Sequence, residues 1–309
     1  MTVDHHPRRF HELPIHDFDP GAAKRPAAGT VAWRLSLEYD APHDFAALWE
    51  AFLAAVDPAA VRALVIGSWW QRDYEPVKEA VGLLADAAER LPALEALFLG
   101  DVTYDECEIS WLEMSDVTPL LTALPALTEL TVRGGTDLEL TPVRHDRLRS
   151  LRFEAGGLPA EVVRAVAASE LPALERLVLW LGADEYGGDA TLDDLAPFLD
   201  GTRLPALRHL GLANSEFQDE IAAAVAHAPV VARLETLDLS MGVLSDDGAG
   251  ALLEGQPLTH LRTLDLHHHY LTDEMQQRLR QALPGVEIDL SDPEDADEDP
   301  DDRYVAVAE

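Results

Sequence analysis

Asp238, Asp265 and Asp289 each sit between two aliphatic residues, in the phrases LDL, LDL and IDL, at intervals of 27 and 24 residues. If these phrases are strands, side-chain alternation puts the three carboxylates on one face, and His267 joins them two residues beyond Asp265. Neighbouring strands lie about 4.8 Å apart, so ionised carboxylates at matching positions repel, raise one another's pKa or attract positive charge. Two kinds of positive charge fit. A hard divalent cation suits oxygen ligands with one imidazole, and a basic segment of a partner protein suits an acidic sheet face. Solvated aspartates in ordinary strand spelling are the plainer alternative, and no metal is assigned. Of the run His267-His268-His269, alternation turns His267 to the carboxylate face and His269 into the core, so the three cannot share one ion from a regular strand.

A second group of residues is suited to recognition. The stretches SWWQRDYEP, GDVTYDECEISW and WLGADEYGGDA hold seven of the twelve Trp and Tyr residues: Trp69, Trp70, Tyr74, Tyr104, Trp111, Trp180 and Tyr186. Aromatics on loops are suited to partner contacts because Trp and Tyr dominate interface hot spots, although they also serve as private cores of long loops. Chemistry of a covalent kind has little support. The nucleophile elbow, the zinc-protease helix, the phosphate loop and the dinucleotide fingerprint are all missing from the sequence. Cys107 stands among Asp105, Glu106 and Glu108, which raise a thiol pKa and make a poor nucleophile. No cofactor is expected.

The elements that must position these residues come from a repeat. An apolar residue, two variable residues, an apolar residue, one variable residue and an apolar residue recur from Val61, Leu94, Leu127, Leu148, Leu174, Leu207, Leu234 and Leu261, with weaker copies at AWRLSL from Ala32 and GVEIDL from Gly285. The second apolar positions are Leu35, Leu64, Leu97, Leu130, Leu151, Leu177, Leu210, Leu237, Leu264 and Ile288. Most units have room for a strand, a turn, a short helix and a return loop. Gln218, Ser245 and Thr272 align as N-caps, each followed by two acidic residues that suit a first helical turn. The shortest interval, RGGTDLELTPVRHDR, has too many Gly and Pro residues for a helix. The fold class that follows is α/β: a leucine-rich-repeat solenoid, or horseshoe, with a parallel sheet on its concave side and helices on its convex side. The residues between the last two motif positions then line the concavity: Ser36, Val65, Phe98, Thr131, Arg152, Val178, Gly211, Asp238, Asp265 and Asp289. The three long units place their added length after the strand, on one rim.

Three regions are expected. Residues 1–30 form an irregular arm covering the first unit, residues 31–290 form the repeat domain of about ten strands, and residues 291–309 form an acidic, mobile tail. The ending RYVAVAE is apolar for a tail, which leaves open an edge strand or a linear motif. The excess of 57 acidic over 23 basic residues, a formal charge of −34, argues against nucleic acid and anionic membranes as partners. A single cysteine and an N-terminus without an apolar signal core suit a cytoplasmic protein.

Several phrases, CEISWLEMSDVTPLL, LWLGADEYGGDATL, LDLHHHYLTDEM and DDRYVAV, resemble a group of bacterial cytoplasmic leucine-rich-repeat proteins of uncharacterised function, with units like those of the ribonuclease-inhibitor class. The resemblance implies a horseshoe fold, a cytoplasmic site and a protein partner. The usual inward asparagine is replaced by Ser215, Gly242 and His269, so the turns after the strands need other partners. The function expected is a non-catalytic interaction module or scaffold. Its partner-binding residues would be Trp69, Trp70, Tyr74, Phe98, Tyr104, Trp111, Arg152, Trp180, Tyr186, Asp238, Asp265, His267 and Asp289. The alternative is a metal-dependent or otherwise catalytic accessory protein using Asp238, Asp265, His267 and Asp289.

Overall fold

A computed structural model describes residues 3–71 and 74–309. Among the described residues, twelve strands form one sheet in chain order: β1 (Arg9–Phe10), β2 (Leu13–Asp17), β3 (Ala32–Leu35), β4 (Ala63–Ile66), β5 (Ala96–Leu99), β6 (Glu129–Arg133), β7 (Ser150–Glu154), β8 (Arg176–Gly182), β9 (His209–Ser215), β10 (Thr236–Asp238), β11 (Thr263–Asp265) and β12 (Glu287–Asp289). The first pair is antiparallel and every later neighbouring pair is parallel. Parallel neighbours need a crossover, and helices supply most of them: α1 (Phe45–Ala55), α2 (Lys78–Asp86), α3 (Thr118–Ala123), α4 (Ala160–Ala168), α5 (Leu192–Leu199), α6 (Gln218–Val225), α7 (Asp246–Glu254) and α8 (Asp273–Ala282). Between β6 and β7 the chain runs extended, held by single bridges from Asp116 to Glu139 and from Arg144 to Glu170.

Motif leucines stack in register. Leu64, Leu97, Leu130, Leu151, Leu177, Leu210, Leu237 and Leu264 face one another across successive strands, and all are buried with the apolar sides of the helices. The first copy is the exception. Trp33, not Leu35, stands opposite Leu64, and Arg34 stands opposite Val65. The phrase AWRLSL therefore sits two residues out of the expected register, and Ser36 lies beyond the strand. Volume explains the shift, because the closing end must be filled. Trp33 and Phe52 centroids lie 5.8 Å apart, Phe18 lies 5.2 Å from Phe52, and the Trp33 indole N–H is satisfied by the Ala28 carbonyl at 3.0 Å.

Both ends carry more regular packing than the irregular arm and mobile tail expected of them, although the arm does cover the first unit. The N-terminal arm is ordered as the β1–β2 hairpin, and β2 adds a strand to the sheet beside β3. Its two-residue turn places His11 and Glu12 at φ 49° and 59°, the left-handed geometry that matches hairpin twist and is normally written with Asn and Gly. At the other end, Val305, Ala306 and Val307 are buried, so the end of the tail is packed rather than mobile. Apolar side chains that find a groove outweigh the acidic residues before them.

Helix starts tie one unit to the next. Ser245 caps α7 and Thr272 caps α8, as their positions predict. Each cap is itself held by the preceding helix: Asp219 accepts from the Ser245 N–H at 2.8 Å, and Asp246 accepts from the Thr272 N–H and hydroxyl at 2.9 and 2.7 Å. Gln218 departs from the pattern. It is buried as the first residue of α6 and donates to the Leu212 carbonyl at 2.9 Å, because its longer amide reaches under the strand instead of back to the helix amides. Replacing Thr272 by Ala removes both the cap and the clasp to Asp246, and should lower unfolding stability by about 1 kcal/mol in a urea titration with an unchanged slope.

Candidate functional site

One face of the sheet packs on the helices; the other is the open face. Its two ends differ. From β3 to β5 the hairpin folds over it, with Phe10 against Phe98 at 5.9 Å and the side chains of Leu13 and Ile15 beside Ala32, Ala63, Val65 and Ala96. Val65 is 0% and Phe98 4% exposed. His11 reaches farther, bonding Glu129 of β6 at 2.9 Å and Glu95 at 3.3 Å. Phe98, expected to meet a partner, is thus already covered by the chain's own arm.

A chain of alternating charges follows. Arg34 pairs with Asp101 at 3.0 Å, and His6 of the arm reaches the same carboxylate at 3.1 Å. Arg133 donates to Glu154 at 2.7 Å and to the Val102 carbonyl at 2.7 Å, while its guanidinium lies 5.1 Å above the Phe98 ring. Arg152 bonds the other oxygen of Glu154 and stacks over Trp180 at 5.0 Å. Burial alone would raise the Glu154 pKa, but Arg133 and Arg152 together hold it below the usual carboxylate value. Sequence reading did not find Arg34, Asp101, Arg133 or Glu154. The last two lie one residue past the final motif position, where the strand's alternation, carried one step on, faces the open side.

From β10 to β12 the open face carries Asp238, Asp265 and Asp289, directly opposite one another in the strand pairing. Each first serves its own strand end, accepting from the backbone N–H two residues on: Ser240 at 3.1 Å, His267 at 3.1 Å and Ser291 at 2.9 Å. These local turns account for the recurrence of aspartate here. Asp265 also bonds His267 Nδ1 at 2.8 Å. Burial, then the neighbouring Asp265 charge, raises the Asp238 pKa, whereas the Ser291 N–H lowers that of Asp289. The bond to Asp265 raises the His267 pKa. One ligand atom each from Asp265, His267 and Asp289 lies within 4.8 Å of the others, but all three groups already have protein partners. What the arrangement can do is hold a proton between Asp265 and His267 beside further negative charge. His268 and His269 differ from His267: burial lowers both, and His269 is inward as expected.

The aromatic group divides. Trp69 and Trp70 are buried in edge-on contact at 4.9 Å, Trp70 meets Tyr74 at 5.4 Å, and Tyr74 meets Trp111 at 6.2 Å. Trp180 is buried, on the open face of β8 and not in the loop after it. Tyr186 donates to Glu309 at 2.6 Å. Tyr74, Tyr104 and Trp111 remain exposed, Trp111 at 55%. Cys107 is buried under Tyr74, and burial pushes its thiol up to about 11, with Glu108 and Glu106 adding to the rise.

Geometry defines an α/β protein with one helix-backed, mostly parallel sheet whose open face is covered from β3 to β5 by its own N-terminal hairpin. A crystallographically determined protein from Bacteroides fragilis is 32% identical, with a TM-score of 0.80, over 86% of this chain and 76% of that one. The chain belongs to the same family as that protein. A leucine-rich-repeat protein of Leptospira interrogans is 12% identical over 85% of this chain and 90% of that one, but its TM-score of 0.20 supports no argument. No protein-family model and no curated protein matches the chain. No helix among the described residues is long and apolar enough to cross a membrane.

Two measurements check the electrostatics. Because the folded pKa of His267 lies above its ordinary 6.5, the protonated ring stabilises the fold below about pH 6.5, and the contribution fades as pH rises through the raised value. The stability difference between the unmodified chain and His267→Asn should therefore be larger at pH 5.5 than at pH 8.5. Glu154→Gln strips a buried, doubly paired carboxylate from Arg133 and should destabilise by about 3–5 kcal/mol in chemical denaturation.

Proposed function

We propose that the chain is a non-catalytic protein-interaction module, a leucine-rich-repeat solenoid with ribonuclease-inhibitor-like units whose open sheet face is the concave side. Sequential strand order, helices on one face and the in-register leucines support the solenoid reading. A cytoplasmic setting suits the unpaired Cys107. The partner sits on the C-terminal part of that face, over β10 to β12. One observation carries this assignment: the arm covers the first strands, whereas Asp238, Asp265 and His267 are only half-buried and Asp289 is exposed.

Carboxylates at adjacent strands favour a basic segment, and matched charge sets register and encounter rate more than raw affinity. Tyr74, Tyr104 and Trp111 form a second contact on the rim. Trp69, Trp70, Trp180 and Phe98 support these surfaces from within, and Arg152 is tied to Glu154.

Affinity capture from the native cells, quantified for the unmodified chain and two variants, tests the assignment. Asp265→Lys with Asp289→Lys should abolish recovery of the principal partner, and Trp111→Ala with Tyr104→Ala should reduce it, with the folded baseline intact in circular dichroism. Unchanged recovery with the lysine pair would remove the open face as the site. The metal-dependent alternative predicts stoichiometric metal in the purified protein, lost in Asp265→Ala.

A further inference from the structure

The last seven residues, RYVAVAE, lie across the turns that follow the strands. Tyr304 N–H donates to the Tyr270 hydroxyl at 3.0 Å, and its carbonyl meets His268 Nε2 at 3.1 Å. Ala306 N–H donates to the Met241 carbonyl at 2.8 Å. Asn214 reads the main chain of Val307 from both sides, accepting from its N–H at 2.9 Å and donating to its carbonyl at 2.5 Å. Ala308 passes so close to Gly156 that a Cβ there would lie 1.9 Å from the Ala308 carbonyl oxygen. Finally, Glu309 accepts from Tyr186.

The track on which this segment lies is built by repetition. Asn214, Met241 and His268 each come four residues after a motif leucine, and all three are left-handed, at φ 56°, 68° and 53°. Each turn therefore presents the same side to the rim at intervals of one strand. Three extended residues, from Tyr304 to Val307, cover about 10 Å, and the two strand spacings from β11 to β9 cover about as much. The fit between the two periods lets one peptide address successive units. The connector differs in character: residues 295–302 contain six carboxylates and not one buried side chain.

We propose that this rim is a peptide-docking groove, occupied by the chain's own C-terminal segment as a detachable strap over the units from β7 to β11. Backbone reading by Asn214, the burial of Val305, Ala306 and Val307, and the close approach of Ala308 to Gly156 define an extended peptide with small or β-branched side chains as the ligand. The strap belongs to a surface separate from the acidic open face, so it stands or falls independently of the partner assigned there.

A fluorescent RYVAVAE peptide added to the full chain tests the groove. The unmodified chain should bind it at least ~10-fold more weakly than the Val305→Asp, Val307→Asp variant, because a short tether holds the chain's own segment at a high effective concentration. Adding Gly156→Val to that variant should abolish binding. In the unmodified chain, the Ala306 and Val307 amides should exchange faster than those of Leu210 and Leu237. Absence of peptide binding to the detached variant would overturn the proposal. So would loss of cooperative unfolding in that variant, or strap amides that exchange only through global unfolding, since either makes the segment an integral part of the core.

Discussion

Lateral register between parallel strands is the constraint on which everything else rests. Leu64 through Leu264 occupy the same height in successive strands, fully buried or nearly so, and a slip of one residue would turn each leucine outward. Fixing that height also fixes the next residue on the opposite face. Val65, Phe98, Thr131, Arg152, Asp238, Asp265 and Asp289 therefore form rows that no local interaction would have assembled.

Rows so closely spaced demand compensation, and the chain meets the demand differently along its length. Apolar rows near the N-terminal end are covered by Phe10, Leu13 and Ile15. Charged residues on the strands and turns from β3 to β7 alternate in sign, Arg34 with Asp101 and Arg133 with Glu154, so that buried charges are paired. At the C-terminal end like charges face one another, eased by strand-end turns, by His267 and, at Asp238, by the charge of Arg152. That last stretch keeps an excess of negative charge, and the proposal of a basic partner rests on it.

Strands and the exposed character of Asp289 were legible in the sequence because a two-residue alternation around a fixed leucine carries both. Thr272 and Ser245 were legible as caps for a similar local reason. Three things were not. Trp33 replaced a leucine at the core position, so the first copy matched the motif two residues too late. His11 and Glu12 take a hairpin turn without the Asn or Gly that would announce it, which hid the arm's strands. Val307 docks by a contact nearly a hundred residues away in sequence, with Asn214, and pattern reading along the chain has no access to such a distance. The aromatic residues show the same limit: composition gathered Trp69, Trp70 and Trp111 alike, but only packing separates the two buried rings from the exposed one.

Carboxylate footprinting of the purified chain tests the division of the open face most directly. Carbodiimide coupling followed by mass spectrometry should modify Glu287 and Asp289 rapidly and leave Asp101 and Glu154 protected until the protein unfolds. Coupling at Asp101 or Glu154 as fast as at Asp289 would contradict the account, because it would mean that the arm and the buried ion pairs do not close the first part of the sheet.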